Sequence, residues 1–476
     1  MKKKALILVM ICILAVTFLA VGCNNYKQDA IPTDDLQGAE VSSNGGLAVK
    51  VGKYLYYING YASQTGDNTF GETVKGAIAR VELDASGAPI MDTNVIVVPK
   101  NVYNTNSTSS LVVMGDYIYF TSPSDKKNGK GEAKTEEMFL MRSKLDGTEI
   151  KVIAEFDDYT TTYRVTPNGN IVYLNADYEL HNIDLSTKKF KDKLIAEDVT
   201  AKLFGDYDDN ANAMSNTVFF TKAAANDNDS HNEVWKYTAG DEEATKVFDG
   251  KGSYNGKGSY NGKALEHEKG YTISLKDVQY VGEKARLIYS KTDAGSNKKS
   301  TGDYSYDFDS SFSFDWTKEV RYSMGKNYTS IYFLENGELL TVDASGVYFT
   351  KDATPVIEKS SITVVSVEET ATAVYVYYLS SNVLYKIQVL AKNAGVYSVN
   401  IGSAETCFNS SYDSSWLSID KVGNLIVFFN SKALNNTYVL DLSKVESRNV
   451  NTLIASQLGI FSDKDVIEML EKVDEE

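Results

Sequence analysis

Residues able to do proton, nucleophile or metal chemistry are few and scattered. Three histidines, His181, His231 and His267, are the whole complement. His181 falls in an alternating apolar stretch and reads as structural, whereas His231 and His267 fall in polar loops. A Ser-His-Asp set can be assembled on paper from any chain of this size, so it carries meaning only with geometry. No HExxH, GxSxG or Walker-type loop occurs, and no catalytic residue is assigned. One acidic stretch has metal-like spacing. Asp206, Asp208, Asn210 and Asn212 alternate, and oxygen ligands at alternate positions suit Ca²⁺. Ala211 stands where a calcium-binding helix–loop–helix motif has its sixth-position Gly, and Thr217 where it has its twelfth-position Glu. A solvated turn accounts for the same residues. Beyond this calcium candidate no cofactor is expected.

The cysteines point to location instead of catalysis. There are three, Cys12, Cys23 and Cys407. Residues 1–22 read as a targeting segment: Lys2, Lys3 and Lys4 are followed by the nearly unbroken apolar run Ala5 to Val21. The run ends Leu19-Ala20-Val21-Gly22-Cys23, which resembles the lipobox of bacterial lipoproteins. It departs from that pattern in having Ala20 where Leu is usual. The resemblance implies cleavage before Cys23, lipidation of Cys23 (palmitate among its acyl chains), and residence on the outer side of a cell membrane. An uncleaved anchor with an incidental cysteine is the alternative. Several acyl chains would hold where one does not. With Cys12 removed and Cys23 modified, Cys407 has no partner, so no intrachain disulfide is expected.

The elements that would carry any site are best read from Gly115 to Glu149. Tyr117-Ile118-Tyr119-Phe120 is apolar or aromatic on both faces, as expected of a strand covered on both sides. A charged loop from Ser122 to Glu136 separates it from a second strand, Met138 to Leu145, closed by the turn Asp146-Gly147. Relatives of the first strand recur at Tyr54–Tyr57, Ile171–Leu174, Val218–Phe220, Leu287–Tyr289, Ile331–Phe333, Val374–Tyr378 and Leu425–Phe429. Relatives of the second recur around Val81, Ile183, Trp235, Ile387 and Val439. From Tyr56 to Val427 the copies stand about 53 residues apart, close to the repeat of a four-stranded propeller blade with room for inserted loops. Blades cannot bury their own faces and must stack on one another. The expectation is an all-β β-propeller of seven or eight four-stranded blades, with eight copies counted. Two stacked β-sandwiches are the competing architecture.

The domain boundaries follow: signal peptide 1–22, flexible tether 23–46, propeller 47–448, and a C-terminal segment 449–476. In the last, Ser462 caps a short helix, Phe461 and Val466 form its staple, and Val466, Ile467, Leu470 and Val473 share one face. The repeated Gly250-Lys251-Gly252-Ser253-Tyr254-Asn255 reads as a duplication in a tolerant loop. Asp303 to Asp309 alternates acids with aromatics and reads first as a solvated strand.

The chain carries 48 basic and 64 acidic residues. Without the leader the balance is 45 to 64, or −19, which argues against nucleic acid or an anionic lipid surface as a partner. The 32 tyrosines and 6 prolines suit a strand-rich chain, with most tyrosines packed between blades.

The units at 115–120 and 142–149 resemble repeats of exported β-propeller lipoproteins from Gram-positive, clostridia-like bacteria. Those repeats belong to a domain of unknown function and are distantly similar to TolB-type propeller repeats. The resemblance spans residues 47–445 and implies fold and envelope location; it brings no catalytic residues. The function expected is a membrane-held binding or scaffolding module, partnered with the membrane through its lipid and with a protein or glycan. The alternatives are a polysaccharide-active enzyme, glycosidase or lyase, and an envelope assembly or sensor subunit. A carboxyl pair about 5 to 10 Å apart in an aromatic-lined centre would mark a glycosidase.

Overall fold

Strands paired in sequence order account for nearly everything in the computed structural model. It describes residues 26–33 and 46–457 except 61–67, 104–110, 127–128, 131–133, 135–136, 158–160, 204–212, 225–230, 251–258, 261–262, 265–269, 294–299, 323–327, 350–353, 382, 410–416, 431–433 and 445–455. The described strands form seven four-stranded sheets, one five-stranded sheet and a small hairpin. Every pairing is antiparallel, and each sheet is built from consecutive strands. The eight sheets are the blades of an eight-bladed ring. They occupy residues 48–98, 112–156, 162–196, 199–249, 271–322, 328–358, 362–409 and 417–457, numbered blades 1 to 8. First strands of neighbouring sheets approach one another, as in blades 7 and 8 or 2 and 3, so the first strand of each blade is innermost.

The unit read from Gly115 to Glu149 is the hairpin of second and third strands in blade 2. Tyr117–Pro123 pairs with Met138–Lys144, from Tyr117 opposite Lys144 to Pro123 opposite Met138. Six of the seven residues of Tyr117–Pro123 are buried, which explains its lack of polar alternation. At the turn beyond, the Asp146 carboxylate accepts from the Thr148 backbone N–H at 2.9 Å, and Gly147 takes φ +81°. The same Asp-x-Ser/Thr turn closes the third strand in blades 1, 3, 5 and 8, at Asp84, Asp184, Asp309 and Asp441.

The tyrosine-rich copies fall in all eight blades, but one has a different place. Thr329 to Phe333 lies in Tyr328–Phe333, the innermost strand of blade 6. The doubly covered second strand there is Leu339–Asp343, buried at every residue. It carries no aromatic residue, so an aromatic signature passes over it.

Eight apolar clusters each join two neighbouring blades. Blades 1 and 2 share Tyr54, Tyr56, Ile118 and Phe120; blades 2 and 3, 3 and 4, 4 and 5, 6 and 7, and 7 and 8 have their own. Large side chains such as Tyr56 and Phe120, with no exposure, each contribute roughly 1.5 to 3 kcal/mol by leaving water. Between blades 5 and 6 the buried cluster shrinks to Ile288, Ile331 and Leu339, and polar contacts take over. Asp303 and Asp307 of Ser300–Phe308 face this seam. The Tyr328 hydroxyl donates to Asp303 at 3.0 Å, and Arg286 grips Asp307 at 2.7 and 2.9 Å. Tyr306 and Phe308 of the same strand face the other way, packing with Phe219 and Phe248 of blade 4. The acid–aromatic alternation expected to be solvated is so only in part: Asp307 and Asp309 are exposed, whereas Asp303 is buried and the aromatic face is packed against blade 4.

The ring closes by side chains. Blade 8 is made wholly of C-terminal strands and blade 1 wholly of N-terminal ones. Leu55, Tyr57, Val427 and Val439 pack across the joint. The buried Thr437 hydroxyl donates to the Ile58 carbonyl at 2.5 Å and accepts from the Gly60 N–H at 2.7 Å. Asp420 accepts from the backbone N–H of Ala48 at 3.4 Å and of Lys421 at 2.8 Å.

Residues 26–33, inside the segment expected to be a tether, lie along blades 1 and 2. Tyr26 and Ile31 pack on the cluster between those blades. The Ile31 N–H donates to the Asp146 carbonyl at 2.9 Å, and the Gln28 amide donates to the Val97 carbonyl at 3.0 Å. Arg80 donates to the Pro32 carbonyl.

Candidate functional site

Blades 1 and 2 gather their long connections at one rim: 59–77, 99–111 and 124–137 all join strand ends there, whereas 52–53 and 115–116 at the opposite ends are tight turns. Strand registers place these ends together, because Ile58 opposes Ile78 and Pro123 opposes Met138. A polar knot ties the connections to one another. The Asn68 side chain donates to the Pro123 carbonyl at 2.7 Å and accepts from the Asn101 N–H at 2.8 Å. Lys100 is fully buried; its ammonium donates to the Asn68 carbonyl at 3.0 Å and to Asp125 at 3.1 Å. Burial pulls the Lys100 ammonium below the usual lysine range, against the opposing pull of Asp125.

The docked arm completes the knot. The Tyr26 hydroxyl donates to Asp125 at 2.6 Å, its ring stacks at a tilt 4.7 Å from Phe70, and the Lys100 ammonium stands 5.3 Å from its centroid. Beside the arm is an open cleft of about 470 Å³ lined by Tyr26, Lys27, Gln28, Asp29, Glu149, Ile150 and Lys151. Its charges alternate, and Lys144 at 2.6 Å draws the Glu149 carboxyl below its usual range. Such a rim sets the exposed described residues of 68–77 and 124–137 on a fixed base, an arrangement suited to recognition.

Carboxylates of the innermost strands are engaged elsewhere. Glu368 accepts from the Tyr377 hydroxyl at 2.7 Å and pairs with Lys421 at 3.4 Å; burial would raise its carboxyl, but these partners bring it below the usual range. Glu369 accepts from Lys392 at 2.5 Å, from the Tyr397 hydroxyl and from the Glu335 N–H at 3.0 Å. Asp420, at the ring closure, is pushed up to about 6 by burial. Each answers a structural need at a blade joint.

His181 lies on the sheet of blade 3 with neighbours on either side. Its Nδ1 is 3.3 Å from Asp192 and its Nε2 3.4 Å from Glu179, and it stacks 4.9 Å from Tyr173, whose hydroxyl donates to Asp192 at 2.7 Å. Asp192 draws the imidazole above its ordinary value. With carboxylates on both nitrogens and no nucleophile among these partners, the arrangement is a structural clip. His231 is buried where Asn232–Thr238 begins. Cys407 is buried between blades 7 and 8, and burial pushes its thiol up to about 11, away from reactivity.

His267, the calcium candidates Asp206, Asp208 and Asn210, Cys23, and the C-terminal helix expected from Ser462 all lie outside the described residues. Among the described residues no group of three His, Cys, Asp or Glu is placed to hold a metal, and no helix is long and apolar enough to cross a membrane. Sequence reasoning passed over Lys100, Asp125 and Tyr26. Lys100 sits in a Pro-Lys-Asn stretch with nothing to distinguish it from a solvated lysine.

No family model and no curated protein matches the chain. Solved structures similar to it include a prolyl endopeptidase, at 12% identity and TM-score 0.41 over 73% of this chain and 49% of that one. The chain thus spans about half the length of that enzyme. The β-propeller domain of the Trilobed protease from Pyrococcus furiosus is similar at 13% identity and TM-score 0.33, over 76% of this chain and 99% of that one. A polysaccharide lyase is similar at 10% identity and TM-score 0.38, over 72% and 92%. At these identities and scores no activity or substrate carries over.

Proposed function

We propose that the protein is a lipid-anchored, extracytoplasmic β-propeller that binds or scaffolds a protein or glycan at the cell surface through the rim of blades 1 and 2. The observation that supports this is the rim itself: three long polar connections gathered at one end of two blades and held by the buried Lys100–Asp125–Asn68 knot. A scaffold that spends a buried cation on ordering loops is preorganised for contact, which lowers the entropy cost of binding. The alternative of a polysaccharide-active enzyme needs a free carboxylate pair, and of the described innermost carboxylates Glu368, Glu369 and Asp420 are committed to joints while Asp277 accepts from the Val278 N–H at 2.7 Å.

Metabolic labelling with an alkyne fatty acid should mark the wild-type protein and not Cys23→Ala. The intact lipoprotein, screened on a glycan array and by crosslinking in its own membranes, should yield a ligand whose capture falls at least tenfold in Lys100→Met, with the ring still folded. Capture unchanged in Lys100→Met would remove the rim from the reading. Turnover of a polysaccharide would replace the reading with the enzymatic one.

A further inference from the structure

The arm's docking bears on how far the ring can stand from a membrane. The 22 residues between Cys23 and Gly46 would, as a free coil, give a root-mean-square reach of about 26 Å. Residues 26–33 are not free. Tyr26 is bonded to Asp125 and packed on Phe70, Gln28 is bonded to Val97, and the Ile31 N–H to the Asp146 carbonyl. The buried Arg80 guanidinium lies 4.4 Å from the Tyr54 ring and donates to the Pro32 carbonyl, so the blade 1 core holds the far end of the arm. Only the links from residue 23 to residue 26 separate Cys23 from the first docked side chain. At full extension they span about 10 Å. The docked end is at the rim of 59–77, 99–111 and 124–137, because Phe70 and Asp125 belong to it.

We propose that the arm is a short leash that holds the blade 1 and 2 rim against lipid headgroups, so that the bilayer surface is the first thing this rim meets. This rests on Cys23 being the acylated residue. The ring is then fixed in orientation, with blades 5 and 6 across the ring from the leashed edge. A ligand for the rim must be reachable at the membrane surface: a lipid-linked glycan or the juxtamembrane part of another protein satisfies that, and a soluble ligand approaching from afar does not.

The test uses the intact lipoprotein in proteoliposomes with an acceptor dye on the headgroups. Donor dye is placed at Gly129→Cys, where an added side chain meets open space, or at Lys318→Cys, exposed on blade 5. Cys407 is buried and stays unlabelled. Energy transfer at residue 129 should exceed that at residue 318 at least twofold. The double substitution Tyr26→Ala, Ile31→Ser, which undocks the arm, should lower transfer at 129 at least twofold. Equal transfer from both sites in acylated wild-type protein, or no change on undocking, overturns the leash while leaving the anchor intact. Intact mass showing no acyl groups on Cys23 overturns the anchor reading, and the leash with it.

Discussion

Ring closure is the most exposed of the physical claims, because it relies on few atoms at the ends of the chain. Thr437 makes two of its bonds: its hydroxyl donates to the Ile58 carbonyl and accepts from the Gly60 N–H, across 379 and 377 residues of sequence. Replacing it with Val keeps the shape and removes both. Gly60 N–H keeps only a tight contact to the Ile58 carbonyl at 3.0 Å. Two net hydrogen bonds at about 1 to 1.5 kcal/mol each, less under 1 kcal/mol returned by the buried methyl, leave a loss of about 2 kcal/mol. If the joint opens locally, that equals about 30-fold faster amide exchange. Hydrogen exchange read by mass spectrometry should show it at Tyr54–Ile58 and Leu425–Asn430, with peptides of blades 4 and 5 unchanged. Thr437→Ser, which restores the hydroxyl, should recover most of the protection. Unchanged exchange at the joint in Thr437→Val, or a uniform rise around the ring, would refute closure through these bonds.

Three further outcomes follow from the same geometry. Asp420 is raised to about 6 by burial, so between its unfolded value of about 3.9 and 6 the folded chain binds more protons there. Its contribution to stability is greatest at low pH and falls as pH rises through 6, so calorimetry should find the stability of Asp420→Asn relative to wild type higher at pH 7 than at pH 4. The raised His181 value has the sign of a group that stabilises while protonated. Its contribution is full below about 6.5 and fades as pH climbs through the folded value, so the melting-temperature gap between wild type and His181→Gln should be wider at pH 6 than at pH 9. Gly346 has φ +146°, and a Cβ there would lie 1.8 Å from the Ile357 carbonyl oxygen; Gly346→Ala should destabilise blade 6 by about 2 to 3 kcal/mol, seen as local proteolytic sensitivity.

Much of the architecture was legible in the order of residues, and for a local reason. Whether both faces of a strand are apolar is written in the strand itself, so Tyr117–Pro123 and Ala373–Ser380 announce stacked blades without reference to their neighbours. The Asp-Gly turn after Leu145 is local too, since Asp146 bonds a residue two positions on. Period and sidedness together give a ring of four-stranded sheets. Where the signal was carried by aromatic character alone it slipped, placing the blade 6 copy on Tyr328–Phe333 instead of the aliphatic Leu339–Asp343. Other features depend on which distant segments meet. Asp303 is buried because blade 6 brings Tyr328 to that face. Lys100 is a core cation because Asn68 and Asp125 converge on it. Residues 26–33 look like linker by composition, yet they dock because a groove between two blades offers Phe70, Val97 and Asp146 at the right spacing. Composition and period are properties of short stretches. The joints between blades, and the candidate rim, are properties of pairs of stretches far apart, so only the folded ring decides them.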